Sequence, residues 1–327
     1  MIEATTAIER WELIEAFETA RESIAHVPVL HLTLRAPDGA LGHAEAAGVD
    51  YDGETPESMA AELSAVGASL VDGISTATLD GLLPAGGARN ALDCALWDLR
   101  AKQSGRAVWQ MAGLPPPGPV TTAFTIGLCG EDDTLRRARD SRNYPLLKLK
   151  VDAERHVDIV RIVREQCPHS RLVVDANQAW SRSLLERLLP SMAEFGVELI
   201  EQPVPRGEDA SLDGLRSSIP LAADESCVDR ASLRELVGRY RFINIKLDKC
   251  GGLSEALAMC QDARHLGFGL MVGNMCGTSL AMAPAFLIAQ SCAYVDLDGP
   301  LLQRLDRQPA IQFDRGVMQV PSRALWG

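Results

Sequence analysis

The sequence predicts a parallel (β/α) barrel, TIM-like but modified, preceded by a smaller α+β capping domain. Three observations carry this. Beyond residue 115, eight short apolar runs alternate with helical segments; most of these runs end in charged residues; and the first hundred residues have a different texture, closed off by the proline-rich LPPPGPV.

In chain order, VPVLHLTLRAPDGALGHAEAA alternates on either side of a PDG turn and reads as a hairpin. ESMAAELSAVGASL and ARNALDCALWDLRAKQ read as helices, the second with apolar residues three and four apart. LPPPGPV places a boundary near 114–119, so residues 1–115 form the expected cap and 116–300 the expected barrel. The barrel runs are TAFTIGL, LLKLKV, RLVVDA, VELIEQP, IPLAADE, FINIKLD, GFGLMVGN and AYVDLDGP, with helices such as SRSLLERLLPSMAEFG and LSEALAMCQDARHLG between them. A doubly wound sheet is the alternative, but the strand count and the lack of GxGxxG after any strand favour the barrel. The tail, about 300–327, is expected to fold back on the cap.

The totals exclude several function classes. With 46% hydrophobic and 23% charged residues, the chain is ordinary globular material, and its net charge of −12 shows no basic stripe for nucleic acid. No window has the length and apolarity of a membrane span. MIEATTAIERWELIEAF is too mixed for a signal peptide, and eight scattered cysteines lack metal-type spacing, so reduced thiols and a cytoplasmic location are expected. No P-loop or Rossmann glycine pattern is present.

LLKLKVD poses the chemical question. Alternation puts Lys148 and Lys150 on one face of a strand that otherwise looks buried, where an ammonium needs a partner. Partners recur about once per βα unit: Asp175 (with Asn177) ends the third strand, Glu201 the fourth, Asp224 the fifth, Lys246 the sixth, and Asp296 with Asp298 the eighth. Catalytic groups of such barrels sit at these C-terminal strand ends. Strands two and six lie across from each other, so Lys150 and Lys246 should face one another, with Asp175, Glu201 and Asp224 on the arc between. Three carboxylates without His or Cys make an oxygen-only site suited to Mg²⁺. Two bases beside a divalent cation suit removal of a weakly acidic proton next to a carboxylate, the metal stabilising the enediolate and the neutral form of a lysine being favoured nearby. With a base on each face, the carbon can be inverted. Each element alone has a plainer reading: KxK as a solvated strand face, Asp175 or Asp224 as a helix cap, Glu201–Gln202–Pro203 as a strand stop. A non-catalytic barrel would be expected to have lost at least one of these groups, and every position is filled.

LKLK, VVDANQAW, LIEQPV, ADES and NIKLDKCGG together resemble the strand-end motifs of the enolase superfamily, in its muconate-lactonizing subgroup, over nearly the whole chain. The resemblance implies Asp175, Glu201 and Asp224 as Mg²⁺ ligands, Lys150 and Lys246 as an opposed acid/base pair, and Lys148 as support for the substrate carboxylate. It also implies a cap over the barrel mouth and, often, homo-oligomers. The subgroup hosts several reactions, among them N-acylamino-acid racemisation, o-succinylbenzoate synthesis and dipeptide epimerisation. The DxD of VDLDGP resembles that of dipeptide epimerases, in which Asp296 and Asp298 would take the substrate's terminal ammonium; Asp298 alone also suits an Asp-Gly turn. LPAGGARNALDCALWDL and the loop of Glu45 and Tyr51 resemble the L-Ala-D/L-Glu epimerases, where an arginine in the first loop, here Arg21 of FETARES, pairs with the glutamate side chain. Arg21 could equally be a surface residue beside Glu18 or Glu22. Thr125, Asn274 and Met275 are expected at the substrate, as is Ser226, which could instead cap its helix. The expectation is therefore a Mg²⁺-dependent isomerase acting on a dipeptide of bacterial cell-wall origin; the nearest alternative is an N-acylamino-acid racemase or o-succinylbenzoate synthase.

Overall fold

In the computed structural model, described for residues 2–18, 23–66 and 76–327, three antiparallel strands lead the chain. They are β1 (Glu3–Glu18), β2 (Ser23–Arg35) and β3 (Leu41–Ala46), in that order across the sheet. The PDG turn joins β2 to β3, with Gly39 at φ 86° and Asp38 Oδ1 accepting the Ala40 N–H at 3.0 Å. Leu30, Leu32 and Leu34 are fully buried, and with Ala44 and Ala46 they join the core that includes Ala91, Leu92 and Leu99 of the helix Gly87–Ser104. β1 has no counterpart in the sequence reading. Apart from Leu13 and Phe17 its residues are exposed or half-exposed, so it carries no apolar alternation to read.

After β4 (Val120–Thr121), eight strands follow: β5 (Phe124–Ile126), β6 (Leu146–Lys150), β7 (Arg171–Asp175), β8 (Val197–Glu201), β9 (Leu221–Ala223), β10 (Phe242–Ile245), β11 (Gly269–Val272) and β12 (Tyr294–Val295). Each is parallel to the next, in chain order, forming one curled sheet. The Ala123 N–H donates to the Val295 carbonyl at 2.7 Å, bringing the two ends of the row together. Ala123, Leu146, Val173, Leu199, Ala222, Met271 and Tyr294 pack as one buried apolar layer inside the curl. Two residues further along each strand, the same face carries Thr125, Lys148, Asp175, Glu201, Asp224, Gly273 and Asp296. The period of two thus stacks a polar ring on an apolar plug, while Leu147, Leu149 and Val174 turn outward into the main core.

The tail adds β13 (Phe313–Asp314) and β14 (Val317–Met318), which pair with each other and with β4. It also reaches back to the first hundred residues. Trp326 Nε1 donates to the Cys94 carbonyl, Gly327 N–H to Asp98, and Arg307 meets the buried Glu45 carboxylate at 2.6 Å. Glu45 also accepts the Thr278 N–H and hydroxyl from the loop after β11, so one carboxylate joins β3, the barrel and the tail. Removing one partner of a buried pair costs roughly 3–5 kcal/mol, whereas an exposed pair contributes under about 1 kcal/mol. Arg307→Ala should therefore lower the urea midpoint sharply, and Arg304→Ala, whose partner Glu12 is as exposed as itself, should barely move it.

Candidate active site

The polar ring is built around Lys148. Its side chain is 2% exposed, and its ammonium lies 2.7 Å from Asp296, 2.8 Å from Glu201 and 3.0 Å from Asp175. Burial pulls this ammonium toward neutrality, but the carboxylates of Asp175, Asp296 and Glu201 more than offset it and keep it charged. Lys150, one alternation further up β6, reaches Asp175 at 2.7 Å and the Asn177 side-chain oxygen at 2.9 Å. Asn177 adopts a left-handed conformation (φ 41°) and gives its N–H to Asp175, so the residue that braces the carboxylate also holds the lysine.

Across the ring, Lys246 lies 2.8 Å from Asp224 and 3.8 Å from the Met275 sulfur. Its charged form is favoured: burial opposes this, and the Asp224 charge overcomes it. The neutral form expected from the sequence is that of a lysine beside a bound cation; here the Asp224 carboxylate faces Lys246 directly. Asp224 is in turn held well below the ordinary carboxylate range by Lys246 and Lys249 against the effect of burial. Glu201 behaves oppositely. Burial and the neighbouring Asp175 charge push it up to about 8, and its Oε2 accepts no hydrogen bond of good geometry, meeting only the Lys148 ammonium.

Lys150, Asn177, Lys246, Asn274, Met275 and Cys276 line one cavity of about 380 Å³, whose other wall is Phe17, Ile24, Val27 and Pro28 of the first hairpin. Asn274 donates to the Asp296 carbonyl and accepts the Cys276 N–H, both at 2.6 Å, which fixes the loop that carries Met275. The charges of Asp224 and Lys246 act on the Tyr51 phenol, which burial and Asp224 push upward. Arg21 lies outside the described residues.

The eighth-strand pair is divided. Asp296 is already engaged by Lys148, and Asp298 accepts the Thr125 N–H at 2.6 Å. Both are buried and neither borders the cavity. Ser226 departs from the expectation. Its hydroxyl donates to Asp209 and receives Gln202, so it belongs to a buried network under β9 rather than to the cavity. Gln202, at φ 32°, also accepts the N–H groups of Asp224 and Ser226 and so sets the end of β9 against β8. Sequence reasoning passed over Gln202, Lys249, which meets Asp224 at 2.6 Å, and Asn244, which donates to Glu201 at 2.8 Å. The latter two stand within the quoted NIKLDKCGG, one two residues before Lys246 and one three after it.

Among the described residues, no three His, Cys, Asp or Glu side chains are gathered as a ready cage for a metal, because each ring carboxylate is turned to a lysine. The residues nonetheless fit a hard divalent cation. Asp175, Glu201 and Asp224 are all-oxygen donors on adjacent strands with 0–1% exposure, and Glu201 is a buried carboxylate short of positive charge.

Comparison with known proteins identifies the family. Residues 132–324 match the enolase C-terminal domain-like family, and residues 1–113 match the mandelate racemase/muconate lactonizing enzyme N-terminal domain. The chain belongs to the enolase superfamily. Similar members include the L-Ala-D/L-Glu epimerase of Escherichia coli K12, 37% identical over 95% of this chain and 98% of that one. An N-acetyl-D-glutamate racemase of a Pseudoalteromonas species is 43% identical over 75% of this chain and 78% of the relative. Among solved structures, an enolase-family protein of Agrobacterium tumefaciens with homology to dipeptide epimerases, holding sodium and L-Ala-L-Glu, superposes at TM-score 0.97 with 38% identity over all of both chains. A dipeptide epimerase of Methylococcus capsulatus, complexed with Mg and L-Arg-D-Lys, is 31% identical at TM-score 0.90 over 99% and 98%.

One property of the superfamily member's site is testable in the free protein. Burial and the Asp296 charge push Asp298 from the ordinary 3.8 up to about 7. A folded value above the unfolded one means that the stability contribution is intact below pH 3.8 and is lost as pH rises through 7. Asp298→Asn, which cannot ionise, should therefore melt above the parent protein by a constant margin beyond pH 7. Thermal unfolding should show that margin shrinking steadily between pH 7 and pH 4.

Proposed function

We propose that this protein is a Mg²⁺-dependent dipeptide epimerase, an isomerase acting on L-Ala-D/L-Glu by two-base 1,1-proton transfer. The observation that carries the reading is that Lys150 and Lys246, on strands separated by the three carboxylate strands, border one cavity. In this reading Asp175, Glu201 and Asp224 hold the cation, which when bound supplies positive charge against the negative charge developing on the substrate carboxylate.

The chain's own residues do the rest. Lys150 takes or returns the α-proton on one face and Lys246 on the other, so that a proton leaving to one lysine and arriving from the other inverts the carbon. Asn177 and Asp175 aim Lys150, and Asp224 aims Lys246. Lys148 places a fixed positive charge beneath the carboxylate being enolised. Asp298, with Asp296, receives the N-terminal ammonium; Thr125 holds Asp298 in place; Asn274, Met275 and Tyr51 shape the cavity; and Arg21 pairs with the glutamate side chain. Residues 1–115 with the tail 300–327 act as the cap, and 116–300 as the catalytic barrel. Among the described residues no helix is long and apolar enough to cross a membrane. The reading is of a small-molecule enzyme of the cytoplasm, assembled as a homo-oligomer as in the family it resembles; the net charge of −12 speaks against nucleic-acid partners.

The Pseudoalteromonas relative favours a second reading, racemisation of an N-acylated glutamate. Such a substrate carries no ammonium for the buried Asp298, so the two readings separate at that residue. In D₂O with Mg²⁺, proton NMR should show loss of the glutamate α-proton of L-Ala-L-Glu and growth of the second diastereomer, with N-acetylglutamate reacting poorly. Asp298→Asn should lower kcat/KM for the dipeptide by at least tenfold. If N-acetylglutamate is the better substrate and Asp298→Asn is silent, the racemase reading replaces this one.

A further inference from the structure

The ring of inward residues has one member without a side chain. At the level where the other strands present Thr125, Lys148, Asp175, Glu201, Asp224, Asn244 and Asp296, β11 continues into Gly273. Gly273 has none of the positive φ values that require glycine, and its N–H makes an ordinary bond to the Ile245 carbonyl at 3.0 Å. Its need for a bare Cα is therefore steric. A Cβ there would stand 2.8 Å from both amide atoms of Asn244 and 3.1 Å from Cε of Lys246. Two side chains of the neighbouring β10 and its end run over that Cα.

Asn244 is completely buried and gives its Nδ2 to Glu201 Oε1 at 2.8 Å. The amide presents its NH₂ to the carboxyl oxygen, which accepts. Its Oδ1 has no hydrogen-bond partner, so this amide is committed to a single contact. A buried polar group that satisfies only one of its atoms costs stability. The molecule keeps it, and keeps the glycine that makes room for it, against one particular oxygen of the ring.

We propose that Asn244 is a positioning residue that fixes Glu201 for the cation, and that Gly273 is the space in which Asn244 and the stem of Lys246 are aligned. The two roles separate: the asparagine acts on Glu201 and hence on cation affinity, and the glycine acts also on the proton transfer made by Lys246. This rests on the reading of Asp175, Glu201 and Asp224 as the cation's ligands.

The test is Mn²⁺ and Mg²⁺ titration of the full-length protein, by electron paramagnetic resonance and calorimetry, on the parent, Glu201→Gln, Asn244→Leu and Gly273→Ala. Folding is followed by circular dichroism. Loss of a hydrogen-bond partner behind a ligand typically costs 10- to 100-fold in metal affinity, and Asn244→Leu should fall in that range. Gly273→Ala, whose added methyl would meet both amide atoms of Asn244 and the stem of Lys246, should fold and weaken cation binding, by less than Asn244→Leu does. Its α-proton exchange in D₂O should slow at least tenfold for the epimer deprotonated by Lys246, and within threefold for the other. Parent-like cation binding in Asn244→Leu, with binding lost in Glu201→Gln, overturns the role of Asn244. Equal slowing of both epimers in Gly273→Ala overturns the role of the glycine. Cation binding by Glu201→Gln as tight as the parent's overturns the ligand reading itself. Should Asn244→Leu misfold, Asn244→Ala is titrated in its place, under the same criteria.

Discussion

The rest of the site depends on a buried ammonium. Lys148 stands at the centre of the curled sheet above a layer of apolar side chains, where an unpaired charge would be untenable. It is tolerated because β7, β8 and the end of β12 each bring a carboxylate oxygen within 3.0 Å. That demand fixes the register of strands that are far apart in sequence: a slip by one residue would turn Asp175 or Glu201 out into the apolar core and leave Lys148 uncompensated. Burial and the neighbouring Asp175 charge outweigh the Lys148 contact at Glu201 and leave it with too little positive charge around it. The ring that Lys148 organises is thus also prepared for a further cation.

The alternation in LLKLK, VVDAN and VELIEQ was enough to assign faces, because a strand's inward residues follow from a period of two and from the chemistry of the residues themselves. Lys148, Lys150, Asp175, Glu201, Asp224 and Lys246 were legible for that reason. Interactions between strands were not. Nothing in VDLDGP says that Asp296 meets Lys148, 148 residues earlier, rather than waiting for a ligand. Ser226 looked like a substrate contact because it follows Asp224, but Asp209 from a separate loop takes its hydroxyl. β1 was invisible for the opposite reason, since an exposed edge strand has no buried face to impose a pattern. Asn244 and Gly273 gave no signal individually; only the distance between them does.

The loop from Asn274 to Thr278 links two parts that the sequence describes separately. Its first half lines the cavity and ties itself to β12 through the Asp296 carbonyl. Its last residue gives both N–H and hydroxyl to Glu45, which Arg307 clamps from the tail. A chain of contacts thus runs from the leading sheet through this loop to Met275, whose sulfur lies 3.8 Å from Lys246. Arg307 also stacks on Trp11 of β1 and pairs with Glu9, so the clamp extends to the hairpin whose Phe17 and Ile24 form the far wall of the cavity.

In the proposed reading, charge favours a dipeptide in this cavity over an acylated amino acid. Four lysines, Lys148, Lys150, Lys246 and Lys249, contact four carboxylates, Asp175, Glu201, Asp224 and Asp296. Asp298 stands outside that balance, buried and held toward its neutral form. An acylated amino acid brings its carboxylate to the proposed cation and Lys148, and nothing it carries makes use of Asp298. A dipeptide backbone brings a carboxylate and an ammonium a few ångströms apart. In the proposed reading its ammonium would favour the ionised form of Asp298, a charge the free protein suppresses. On the proposed reading, the carboxyl that burial makes costly to ionise in the free protein is the group that would distinguish a free amino terminus from an acylated one.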